Sequence, residues 1–160
     1  MDKMSFFTLI AISFPEVVII LVLGFTLGGV KVPLRKIIFI ALLQTFFSYM
    51  IRFLPFVFGL HSLIQIAFFM ILVFIFTRLP SRSVITSMLL SLSLYLVVEV
   101  SVLNVLKNVF HLPLKEGLVD PAKRVIYFIP QFLIIVLILV VLKVTKFKLL
   151  NLSESRWDYE

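Results

Sequence analysis

The chain has 160 residues, of which 62% are hydrophobic and only 14% are charged, and its mean hydropathy is +1.20. A soluble domain carries about 45–50% apolar and about 25% charged residues, so a water-soluble fold is excluded. Intrinsic disorder, which needs low hydrophobicity and high charge, is excluded with it. The absence of cysteine removes disulfide staples, thiolate metal sites and a lipid-modified N-terminal cysteine. The net charge of +7 does not point to nucleic acid, because the Lys and Arg residues sit in short clusters between apolar runs. Loops that face anionic lipid headgroups are built that way.

A helix that spans a bilayer needs about 20 apolar residues. Cutting the chain at its charges predicts five spans, at about 5–28, 37–59, 62–77, 84–106 and 125–142. The first ends on Gly28 and Gly29 before Lys31, and no small-x-small cleavage site follows it, so it is not read as a removable signal peptide. The second is interrupted by Arg52 and Pro55, and the third is nearly pure Phe, Ile and Leu. The expected fold is therefore an all-α integral membrane protein, a bundle of five transmembrane helices. Residues 143–160 form a basic amphipathic tail, and the segment from Asn108 to Arg124 is a polar loop able to lid the bundle.

Orientation follows from the basic residues of the short loops. Nine fall on one side (Lys31, Arg35, Lys36, Arg78, Arg82, Lys143, Lys146, Lys148 and Arg156). Six fall on the other (Lys3, Arg52, Lys107, Lys115, Lys123 and Arg124). This bias predicts an N-terminus outside and a C-terminus in the cytoplasm, in a multi-pass membrane protein.

Ionisable residues inside a bilayer cost at least about 2.5–3.5 kcal/mol each on insertion scales and usually face the bundle interior. Three fall within the apolar runs: Glu16, Arg52 and Glu99. Counted from the nearest cytoplasmic charge at about 1.5 Å per residue, all three lie roughly 22–26 Å from the inner boundary. Gln65 and Gln131 come out a little lower, at about 18–20 Å, and His61 stands slightly higher. Pro15, Pro55 and Pro130 fall near the same level, where a proline frees a carbonyl for a neighbour to satisfy. Together these residues predict a polar, ligand-binding layer in the outer half of the membrane. An Arg52–Glu99 ion pair, with Glu16 beside it, is one arrangement of that layer. A purely structural ion pair holding the bundle together is the other.

No catalytic motif is present: no P-loop, no dinucleotide-binding glycine pattern and no HExxH. Two histidines do not make a metal site without a third ligand at known spacing. The expectation is a protein that is not an enzyme and carries no cofactor or metal.

The order of features, FPEVVIILVLGFTLGG and then VPLRKIIFIALLQTFFSYMIRFLPFVFGLHS before a Phe-rich span, resembles a known family. It is similar to the N-terminal membrane sensor region of GHKL-type histidine kinases of clostridia and relatives, the kind related to peptide quorum-sensing receptors. The resemblance is carried by Glu16, Gly28–Gly29, Arg52, Pro55, Gly59 and His61. It implies a bacterial plasma membrane and two-component signal transduction in which a membrane-level signal, often a small peptide, passes to a cytoplasmic kinase. The sequence carries no phosphoacceptor histidine region and no ATP-binding domain, so the expectation is a stand-alone sensor-like protein, a partner of a separate kinase or membrane protein, or a piece of a longer chain. A solute-binding membrane subunit of a transporter and a non-catalytic membrane scaffold are the alternatives. The Ile-, Leu- and Val-rich face of the fifth span is compatible with a homodimer or with contact to lipid alone.

Overall fold

The computed structural model describes residues 9–51, 60–111 and 120–146. Among them there is no strand, and five helices follow one another: α1 (Phe14–Leu27), α2 (Leu34–Ile51), α3 (Leu60–Thr77), α4 (Ser81–Asn108) and α5 (Pro121–Val144). Helices α2 to α5 are long and apolar enough to cross a membrane, and α1 with its lead-in is a shorter apolar helix. Large apolar side chains face outward on every long helix, among them Phe46, Leu63, Val97 and Leu137. A helix that is apolar around its circumference yet exposed belongs in lipid, so the chain is a multi-pass helical membrane protein.

Helices α4 and α5 run somewhat past the spans predicted from charge, while the predicted positions 5–8 and 52–59 lie outside the described residues. α4 begins at Ser81 and ends at Asn108, and α5 runs from Pro121 to Val144. Arg82, Lys107 and Lys143 therefore stay within helices, because long basic side chains keep their stems along the helix while the charge reaches the headgroups.

Local chemistry sets the ends. A π-helical turn, Leu9–Ser13, leads into α1. Pro15 stands at the start of α1 and has no N–H to give to the carbonyl four residues back, which widens the turn before it. At the other end Gly29 takes φ 67°, where a side chain would be strained. The Val30 and Gly29 amides donate to the Phe25 and Thr26 carbonyls at 2.9 and 3.2 Å, which closes the helix in a Schellman motif. α5 opens on Asp120, whose carboxylate accepts from the Ala122 amide at 3.0 Å, an ordinary N-cap.

Helix α1 is the centre of the bundle and packs against α2, α4 and α5, most extensively against α4. That seam is made of small residues. Gly24 and Gly28 on α1 meet Ser87 and Ser91 on α4, and Ser83, Ser87 and Ser91 are all buried. Lipid offers no hydrophobic contrast between helices, so close backbone approach through small residues is what drives association. α2 and α3 pack as an antiparallel pair, with Phe47 stacked on Phe68 at 3.7 Å between centroids and Phe39 edge-on to Phe76 at 5.1 Å.

Candidate functional site

The α1–α4 seam changes character along its length. On α4 the four-residue step Ser83, Ser87, Ser91 continues to Tyr95 and Glu99, and on α1 the step back from Gly28 through Gly24 and Ile20 reaches Glu16. Residues four apart lie on one helical face, so the tight packing of the glycines hands over to three polar side chains. Tyr95 is buried, and its hydroxyl donates to the Glu16 carboxylate. Glu99, one turn further along α4, is half-buried and faces the same hydroxyl.

Two cavities flank this group. The first, about 300 Å³, lies among α1, α2, α3 and α4. Its polar lining includes Gln44, Thr45 and Ser48 of α2 and Gln65 of α3. The Gln44 amide nitrogen donates to the Gln65 backbone carbonyl at 3.2 Å, and the Gln65 amide nitrogen donates to Ser48 Oγ at 3.0 Å. Gln44 Oε1 and Thr45 Oγ1 are buried and make no hydrogen bond. The second cavity, about 260 Å³, lies among α1, α4 and α5 and is lined by Arg124, Tyr127 and Gln131 on the α5 side. Gln131 is buried beside the Tyr95 hydroxyl, yet its Nε2 has no acceptor in hydrogen-bonding geometry. Ser13, Glu16, Tyr95 and Glu99 line both cavities and form the wall between them.

Of the residues singled out from sequence, the structure brings Glu16, Gln65 and Glu99 to the first cavity and Glu16, Glu99 and Gln131 to the second. His61, half-buried in the first turn of α3, lines neither. Arg52 lies outside the described residues, as do Pro55 and Gly59, so the Arg52–Glu99 pair falls there too. Most of the loop at 112–119 and the tail from residue 147 onward are likewise outside. Among the described residues no cluster of His, Asp and Glu could hold a metal ion.

Several lining residues escaped the sequence reading. Gln44 did so because counting from Lys36 puts it only about 12 Å deep, against about 20 Å for Gln65, although the two side chains meet. Basic residues can snorkel by about a turn, so depths counted from them are offset between helices. Tyr95 passed as one more apolar aromatic, although Ser87, Ser91, Tyr95 and Glu99 stand at four-residue spacing and mark one polar face. Arg124 counted as a loop charge, but it sits in the first turn of α5 with its side chain on the second cavity.

The arrangement holds carboxylate, hydroxyl, amide and guanidinium groups around two voids inside an otherwise apolar bundle. Such a site can bind a small polar molecule by hydrogen bonds and charge. No family model, curated protein or solved structure matches this chain.

Proposed function

We propose that this chain is a sensor-like protein of a bacterial plasma membrane. It receives a peptide or small ligand in its polar layer and passes the signal to a kinase or membrane partner. The observation that carries the reading is the first cavity, where Gln44 Oε1 and Thr45 Oγ1 are buried without partners. A purely structural polar layer satisfies its own groups, since a buried unpartnered polar atom costs about 1–3 kcal/mol. A site awaiting a ligand leaves some unmatched. The similarity to kinase sensor regions supplies the signalling role, and the distribution of basic residues supplies an N-terminus outside, which opens the layer toward the outer face.

Because the chain has no cysteine, single-cysteine labelling needs no background removal. In intact cells, Thr45→Cys and Ser62→Cys are expected to react with the membrane-impermeant reagent methanethiosulfonate ethyltrimethylammonium. Phe46→Cys and Val97→Cys, on the lipid face, are expected to stay silent. Equal silence at all four positions would refute a water-accessible cavity. Cross-linking in native membranes then tests the role: capture of a histidine kinase is the expected result, whereas capture of an ATP-binding-cassette ATPase would replace the sensor with a transporter subunit.

A further inference from the structure

The two cavities differ in what they lack. On the α2 side two atoms are unmatched, Thr45 Oγ1, which can donate or accept, and Gln44 Oε1, which can only accept: the Gln44 amide nitrogen is committed to the Gln65 carbonyl, itself an acceptor, and this leaves Oε1 facing no donor. On the α5 side the unmatched atom is a donor, Gln131 Nε2, and the same cavity is lined by the Arg124 guanidinium. Both amide side chains are more than nine-tenths buried. Between them stand Tyr95, Glu16 and Glu99, common to both voids. The site thus calls for hydrogen-bond donors at one end and acceptors at the other.

We propose that the two cavities act as one chamber for a small zwitterion. Its ammonium group lies toward Gln44 and the Glu99 carboxylate, and its anionic group lies toward Arg124 and Gln131. This rests on the reading of the polar layer as a ligand site and names the class of ligand. A simple anion would sit against two carboxylates, and a simple cation would leave the Arg124 and Gln131 end unmatched. The volumes, about 300 and 260 Å³, stand at the small end of ligand pockets, which run from about 300 to 1,000 Å³. Tyr95 and Glu16, hydrogen-bonded to each other, stand in the wall the two voids share, so a ligand reaching both ends displaces that contact.

The test uses the full chain in lipid nanodiscs and three sets of probes. The zwitterions are glycine, 4-aminobutanoate and 6-aminohexanoate. Butylamine supplies the cation alone, and butanoate the anion alone. A ligand at about five times its Kd raises the folded-to-unfolded ratio about sixfold, a rise of roughly 2–4 °C in the unfolding midpoint for a chain of this size. At least one zwitterion is expected to give that rise when butylamine and butanoate do not. Arg124→Gln and Glu99→Gln, each nearly isosteric or smaller, are expected to abolish it while still unfolding cooperatively. A rise with butylamine that survives Arg124→Gln would overturn the proposal in favour of a cation site. A rise with butanoate that survives Glu99→Gln would overturn it in favour of an anion site. If no zwitterion acts but Thr45→Cys is labelled from water, the ligand class is wrong and the ligand-site reading stands. If neither occurs, both readings fall.

Discussion

Replacing Gly28 by alanine tests the seam on which the polar layer rests. Gly28 has φ −75°, an ordinary helical value that any residue adopts, so the substitution carries no backbone penalty of its own. Its methyl group would instead collide with Ser87 Oγ and crowd Ser87 Cβ and the Gly24 carbonyl at 3.3 and 3.2 Å. Overpacking of this kind typically costs about 1–3 kcal/mol. Ser87→Ala removes the nearest atom, a buried hydroxyl oxygen with no hydrogen-bond partner, and alone is expected to be neutral or stabilising by up to about 1 kcal/mol. Combined with Gly28→Ala it is expected to restore most of the lost stability, a coupling of at least about 1 kcal/mol between residues in contact. Unfolding midpoints of the four proteins in the same bicelles supply the cycle; Gly28→Ala alone should fall by roughly 2–10 °C. An unchanged midpoint for Gly28→Ala, or a double variant as unstable as Gly28→Ala alone, would refute close α1–α4 packing through this pair.

Three further outcomes follow from hydrogen bonds described above. Tyr95→Phe removes the donor to Glu16 and is expected to lower stability by about 1.5–3 kcal/mol, the range for a bond to a charged group, as read from the unfolding midpoint. Gln65→Leu deletes the link to Ser48 on α2 and should cost about 0.5–1.5 kcal/mol. Gln44→Leu should cost less, because the Gln65 carbonyl lies mid-helix and has an intrahelical donor; a larger loss for Gln44→Leu in the same assay would contradict this ranking. Asp120→Ala removes the N-cap of α5 and is expected to cost about 0.5–2 kcal/mol. Faster amide hydrogen exchange should then be confined to the first turn of that helix, and unchanged exchange at Ala122 would count against the cap.

The class of fold was legible because five apolar runs separated by charge have few other readings. The boundaries were less so: charge marks where a side chain ends, not where a helix does, and Arg82 and Lys143 both belong to helices. Glu16 and Glu99 were legible as layer residues because a charge in an apolar run is rare and expensive. What remained hidden depended on register between helices. Nothing in the spacing of Gln44 alone places it against Gln65. The Gly24–Gly28 pair and the serines at 83, 87 and 91 do spell out a close-packed seam, but they carry no charge to set them apart within an apolar run. That seam sets Glu16 beside Tyr95 and Glu99.

Helix α5 meets the bundle through α1 and α4, and its buried side chains are Gln131, Ile135 and Leu139. These stand four apart and form a single row along one edge of the helix. Partly buried Phe132, Val136, Ile138 and Leu142 flank this row and pack against the core with it. Gln131 is at once the polar member of the row and part of the wall of the second cavity. Whatever fills that cavity therefore touches α5 at the polar end of an otherwise apolar seam.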